Sequence, residues 1–415
     1  MPETIFRGSR DRPEPIPVTP ADLADATSPT APPMATPAAG TRGAEGGADR
    51  AGRAPFALPP AKSWERRAPW SIARASEPAY LAAGSGWTFV SGGYNWALIG
   101  PDGALVVRGP KGRGDGSFDP QAGIVYAPDP EGVLRAVRAD GGQPAFWVAL
   151  LMAGDFSRPF VARAGEVLVV SGIERNQPHG SPHVPTLSCL ETFPVARPDV
   201  GPSGQLRPGG GPGAVLFATL SLRVAAAGGS IVTAEPDRLL WWDQDLRVTA
   251  CVKGTFTAES LSVDEAGRAH LVVDEPPERG RRRRSLWVVD REGRRTIAVA
   301  LPRPLVQAPM LGPPIVGYDH RVHLVGAGQV VCWAFDGTLQ WARPLATPVT
   351  GGTVTVDGHL LIADGPELVA FDPNGQRSVL ATFDAPLVTR PVLTDDRTIL
   401  VATMGELHRL VPVDK

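Results

Sequence analysis

Three cysteines in 415 residues, Cys189, Cys251 and Cys332, are too few and too widely spaced to frame a disulfide scaffold. They fit a reducing compartment and buried apolar thiols on strands. No Cys-x-x-Cys-His haem attachment is present. No stretch reaches the roughly 18 uninterrupted apolar residues of a membrane span. No apolar core of the kind a secretory leader carries follows Met1, so the sequence predicts a cytoplasmic protein without a membrane partner. A net charge of -2 supplies no field that would draw in nucleic acid, and no nucleic acid partner is expected. Long helical periodicity is missing throughout. So are a Ser-His-Asp order, a phosphate-binding glycine loop and a His pair on a helix. Gly326-Ala327-Gly328 does not complete the pattern Gly-x-Gly-x-x-Gly. These absences leave no residue to assign as catalytic, cofactor-binding or metal-ligating.

What the chain has in abundance is turn chemistry, with 47 Gly and 44 Pro. The plainest unit runs from Thr353 to Gly375. Val354 and Val356 end one apolar run, Asp357-Gly358 makes a tight turn, and His359 to Ile362 forms a second run. Glu367 to Phe371 forms a third, closed by Asp372-Pro373-Asn374-Gly375, where Pro presets φ and Gly takes the positive φ that ends the turn. Ser378 to Phe383 is a fourth. Aspartates at these turns, Asp290, Asp357 and Asp372 among them, read first as turn formers. Four strands cannot bury both faces of their own sheet, so the unit requires neighbours like itself.

Such neighbours recur. Units begin near Pro78, Ser117, Arg158, Leu222, Ser260, Ala308, Gly351 and Thr389, about 37 to 64 residues apart, a spacing proper to four-stranded propeller blades. The last unit ends at Lys415 without a fourth strand. Upstream of the first lies an orphan run, Ser63 to Trp70, with the Trp residues of a fourth strand. Pairing it with the last unit would leave no open edge. The fold class expected is all-β: an eight-bladed β-propeller of four-stranded antiparallel blades, with seven blades as the alternative, spanning residues 61–415 and closed by the N-terminal strand 62–74.

The repeats Leu286-Trp287-Val288-Val289-Asp290 with Gly293, Val331-Cys332-Trp333-Ala334-Phe335-Asp336-Gly337 with Trp341, and Leu368-Val369-Ala370-Phe371-Asp372 with Gly375 carry a family resemblance. They resemble the PQQ-like propeller repeats of quinoprotein dehydrogenases and outer-membrane assembly lipoproteins. The dehydrogenases set adjacent cysteines beside their quinone and acidic and amide ligands around calcium. No two cysteines are adjacent here, and no cofactor is expected. Propellers of this general kind also occur in bacteria beside MoxR-type ATPases and von Willebrand A-type proteins.

Residues 1–60 are rich in Pro, Ala, Thr and Gly, a composition expected to form a disordered arm. Two insertions mark the third unit, 176–185 and 197–213. His179 and His183 in the first could join Cys189 on a metal, but a Pro/Gly loop gives the rings no common direction and solvated histidines are the simpler reading. Arginines crowd 279–284 after Asp274-Glu275-Pro276-Pro277. The run could meet phosphates, but it lacks interleaved aromatics and is preceded by compensating acids, which makes it a solvated hairpin tip. The sequence therefore predicts a non-catalytic scaffold that binds protein partners through its loops and arm. The competing class is an enzyme or small-ligand binder that uses a central funnel.

Overall fold

The computed structural model describes Phe6–Arg7, Pro17–Val18 and, with interruptions, residues 53–413; the longest interruptions are 150–159, 175–186 and 195–212. Among the described residues the strands form eight sheets, seven of them built on four antiparallel strands in sequence order and the eighth on three. Innermost strands are Tyr80–Gly84, Ser117–Asp119, Phe160–Ala164, Arg223–Ala227, Thr257–Val263, Ile315–Val316, Thr353–Val354 and Val392–Leu393. We number the sheets first to eighth in that order.

In the seventh sheet Thr353–Val354, Leu360–Asp364, Glu367–Phe371 and Arg377–Thr382 follow one another as antiparallel neighbours. Strand alternation sends successive side chains to opposite faces. Leu360 and Ile362 pack on Val325, Val330 and Trp341 of the sixth sheet. Leu361 and Ala363 pack on Leu393, Ile399 and Val401 of the eighth. Both faces are thus buried, which is why the second and third strands read as continuous apolar runs. Each such Leu, Ile or Val contributes roughly 1.5–3 kcal/mol relative to exposure.

Similar cores join the fourth sheet to the fifth, the fifth to the sixth and the first to the second. Inner strands of the second, third and fourth sheets also adjoin in sequence. The eighth sheet packs on the first through Val392, Leu400, Ala402 and Leu407 against Leu81, Ala83, Val90 and Ile99. The order of packing therefore returns to its start.

That seam joins the two ends of the chain. The eighth sheet takes its outer strand from upstream of the first: Ser63–Arg66 pairs antiparallel with Leu410–Val413, and Trp70–Ser71 pairs with Glu406–Leu407. Trp341 and Trp70 do the same work at two junctions. The Trp341 indole donates to the Pro373 carbonyl at 3.1 Å and lies against Gly375, where a Cβ would fall 2.6 Å from the ring. The Trp70 indole lies against Gly103 of the first sheet, where a Cβ would fall 2.2 Å from its Nε1. Both glycines also hold positive φ, 78° and 83°, so any side chain there is doubly resisted.

The packed chain starts upstream of the expected strand. Ala54 is fully buried, and Phe56, Leu58 and Trp64 lean on the core between the seventh and eighth sheets. Phe6–Arg7 and Pro17–Val18 pair on the outer strands of the third and fourth sheets; the other residues of the expected arm before Arg53 lie outside the described residues. Among the described residues no helix is long and apolar enough to cross a membrane.

Removal of the indole at either junction tests this account of the packing. Trp341→Ala is expected to cost about 3–5 kcal/mol, and half-buried Trp70→Ala somewhat less, both read by urea unfolding. A chain shortened to begin at Pro78 should aggregate or melt well below the full chain. Equal melting temperatures would show that the eighth sheet is complete without the upstream strand.

Candidate interaction site on the axial face

The turn between the first and second strands of a sheet recurs with one hydrogen-bond pattern, Asp264–Arg268, Gly317–Arg321, Thr355–His359 and Thr394–Thr398. The left-handed residue in it is Gly267 or Gly358 in two sheets, but His320 and Arg397 in two others. A non-glycine residue there costs local strain. His320 has a visible use for its position.

At the turn of the fifth sheet, Asp264 accepts from the Arg268 amide at 2.9 Å and from Arg268 Nε at 2.6 Å. His270 Nε2 lies 3.2 Å from the same carboxylate. Arg268 reaches across to the sixth sheet, where its guanidinium donates to His320 Nδ1 at 2.8 Å and lies over the Phe335 ring. Since arginine only donates, His320 Nδ1 is the acceptor and its proton sits on Nε2. Burial pushes the Asp264 carboxyl upward. The bond from His270 and the charges around it outweigh that and hold Asp264 below the usual carboxylate range. Asp264, His270 and Arg268 are all buried. Closed to solvent and with both carboxylate oxygens occupied, the cluster works as a brace between two sheets.

Against this brace lies the upstream chain. Ala54 N donates to the Val354 carbonyl at 2.7 Å, and Val356 N donates to the Phe56 carbonyl at 3.1 Å. Arg53 forms a parallel bridge with Val354, and Leu58 N donates to Asp357 Oδ1 at 3.1 Å. Val354 belongs to the innermost strand of its sheet, so the edge being paired is the one that faces the axis. The Arg53 side chain is only 2% exposed. It lies over the Tyr318 ring of the sixth sheet and 3.6 Å from Glu265 of the fifth. Residues 53–58 thus run as a strap across three sheets before the chain turns outward to Ser63.

A shallow open cleft sits at the seam, walled by Trp70, Trp87, Pro101, Asp395, Asp396 and Arg409. Arg409 lies over the Trp70 ring at 4.6 Å.

The arginine run departs from the solvated-tip reading. Arg281–Val289 is a strand paired with Ala269–Glu278, which sets Arg284 opposite Asp274 and Arg283 opposite Glu275. Arg282 makes two bonds to Asp274. Arg284 is 1% exposed and bonds Asp274 and the Leu305 and Ala308 carbonyls that end the helix Arg303–Gln307. The preceding acids are cross-strand partners, so the run turns inward at one end. Cys251 and Cys332 are buried, and burial pushes the Cys332 thiol up to about 12. Cys189 lies on the strand Leu187–Pro194. His179, His183 and nearly all of the insertions 176–185 and 197–213 lie outside the described residues.

No family model and no curated protein matches this sequence. Solved structures do match. BamB from Moraxella catarrhalis aligns over 84% of this chain and 99% of its own at 12% identity and a TM-score of 0.53. Quinohemoprotein alcohol dehydrogenase from Comamonas testosteroni covers 88% of this chain and 79% of its own, at 12% and 0.57. Sqt1 from Saccharomyces cerevisiae covers 86% and 99%, at 11% and 0.57. The fold is a β-propeller. Its likeness to the PQQ-like repeats of BamB and the dehydrogenase holds at the level of the fold.

Two histidines occupy a propeller core position that is apolar elsewhere. His323 pairs with Ile315 as Leu361 pairs with Thr353 and Leu400 with Val392. It is buried and packs on Trp341, and its Nδ1 has no hydrogen-bond partner. Burial lowers its pKa from 6.5 to about 4 and lowers that of His270 as well. The unfolded chain therefore binds these protons first as pH falls. For His323 stability should be intact above pH 6.5 and drop between about 6.5 and 4, by up to about 1.4 kcal/mol per pH unit, and His270 acts in the same direction. His323→Leu, which copies Leu361, should fold and flatten that slope in urea titrations. An unchanged slope would remove His323 from the account.

Proposed function

We propose that this protein is a non-catalytic interaction scaffold, an eight-bladed propeller closed by its N-terminal strand, that binds protein partners through its turn-built faces. The observation that carries the reading is the use made of the axial face. The inner strands turn small and apolar residues such as Ala82, Ala83 and Ala225 into the cores between sheets. Of the charged groups there, Asp264 and Arg268 are buried and paired with each other, and buried Arg53 of the strap lies beside Glu265. A site for chemistry needs a positioned group with access to substrate, whereas Asp264 and His270, whose pKa values are lowered, are closed to solvent within the brace.

The fold supports the reading without deciding it, since propellers host unrelated activities. Of the similar structures, BamB, Sqt1 and the Dos1 propeller carry no enzymatic name, and the alcohol dehydrogenase does. The Pro- and Ala-rich composition of the first 50 or so residues suits a tether that raises the local concentration of a second partner. A cytoplasmic bacterial-type assembly beside MoxR-type ATPases and von Willebrand A-type proteins is the setting we infer.

Two measurements separate this from the funnel-enzyme reading. Affinity capture of the full chain should retain a protein partner in stoichiometric amount. Calorimetric titration with pyrroloquinoline quinone and calcium at micromolar concentration should be flat, and a saturable quinone complex with a new visible absorbance would overturn the scaffold.

A further inference from the structure

We propose that the axial edge of Thr353 to Asp357 is a strand-addition site for an extended peptide, held in the resting protein by residues 53–58 of the same chain. A free strand edge presents unpaired amides and carbonyls that any extended segment can satisfy. Here the Val354 carbonyl and the Val356 amide are the groups satisfied, and Ala54 and Phe56 supply the partners.

The contacts define the ligand. Its first residue is basic, because it must reach Glu265 and lie over Tyr318. The second is small, because Ala54 is fully buried against the seventh and eighth sheets. Apolar groups follow two and four positions later, where Phe56 and Leu58 lean on the core that contains Leu361, Phe383 and Leu387. The pattern is Arg-Ala-x-Phe-x-Leu, with main-chain pairing for affinity and pockets for specificity. Glu265, 3.6 Å from the Arg53 guanidinium, favours a basic leading residue.

The cis segment is covalently joined to the strand Ser63–Arg66, so its effective concentration at the edge is of millimolar order. A segment of a partner protein with the same pattern enters by displacing it, which frees the strap without undoing the pairing of Ser63–Arg66 with Leu410–Val413. The inference rests on the scaffold reading only in assigning the incoming segment to a protein partner. Its test needs no partner, so the two can fail separately.

The full chain carrying Arg53→Glu and Phe56→Ala has a loosened strap. A fluorescent peptide with the sequence of residues 51–60 should bind it saturably and at least tenfold more tightly than it binds the wild-type chain. The same peptide with Glu in place of its Arg should lose that binding. Equal affinity for both chains, or no binding to the folded variant, overturns the proposal. Should the variant not fold, the wild-type chain decides. A peptide with a photo-reactive group at its Phe, added at ~10 mM to exceed the cis segment, should attach within or beside Thr353–Asp357. Attachment elsewhere or none at all overturns it too.

Discussion

Packing between sheets is the constraint on which everything else depends. A sheet such as the seventh is apolar on both faces, so it is not stable without a neighbour on either side, and a row of such sheets has no acceptable end. The chain solves this by returning to its start. The core of Val392, Leu400, Ala402 and Leu407 against Leu81, Ala83, Val90 and Ile99 is made of residues three hundred positions apart or nearly so. It can form only when both ends are present. Main-chain pairing of Ser63–Arg66 and Trp70–Ser71 with Glu406–Val413 fixes the register. Trp70 on Gly103 then repeats, between the chain ends, the indole-on-glycine contact that Trp341 and Gly375 make between consecutive sheets.

Charge in this molecule is used inwardly. Arg284 is buried with a carboxylate and two helix-end carbonyls as partners. Arg268 and Asp264 form a paired, hydrogen-bonded brace across a sheet junction. Removing one member of such a pair leaves an uncompensated buried charge, whereas an apolar pair of the same volume can be neutral or better. These groups therefore specify how neighbouring sheets seat more than they add stability. The buried histidines differ. At the position that Leu361 and Leu400 hold in the next two sheets, His270 bonds Asp264 and His323 packs on Trp341, and burial lowers the pKa of both, which makes the fold sensitive to acid.

Local signals made the architecture legible. Turns such as Asp357-Gly358 and Asp372 to Gly375 depend on residues within four positions of each other, and two-sided burial leaves short apolar runs between them. The orphan Trp-bearing run at Ser63 to Trp70 was legible because the last unit lacked a strand. What escaped is non-local or masked by composition. The brace of Asp264, Arg268 and His320 joins turns 52 residues apart, and nothing in either turn announces the other. The inward end of the arginine run was hidden because cross-strand partners and helix-end carbonyls, not the run itself, decide burial at Arg284. The strap was hidden by the Pro- and Ala-rich residues around it. Its only sequence trace is the alternation of Ala54, Phe56 and Leu58, a short period-two pattern at the end of a stretch that otherwise reads as a tether.

The strap also covers part of one innermost strand edge. Outer edges are short and flanked by charge, as at Arg377–Thr382, where Arg377 pairs with Glu367. Left bare, the axial edge of Thr353 to Asp357 would present the Val354 carbonyl and the Val356 amide unpaired. Covering it with a segment of the same chain holds that edge closed at no cost in assembly. The cover holds the edge through the main-chain bonds of Ala54 and Phe56, the Leu58 amide on Asp357, and Arg53 beside Glu265 and Tyr318. A partner that competes for the edge thus meets its resistance at the strap, while the strand pairing that closes the propeller stays in place.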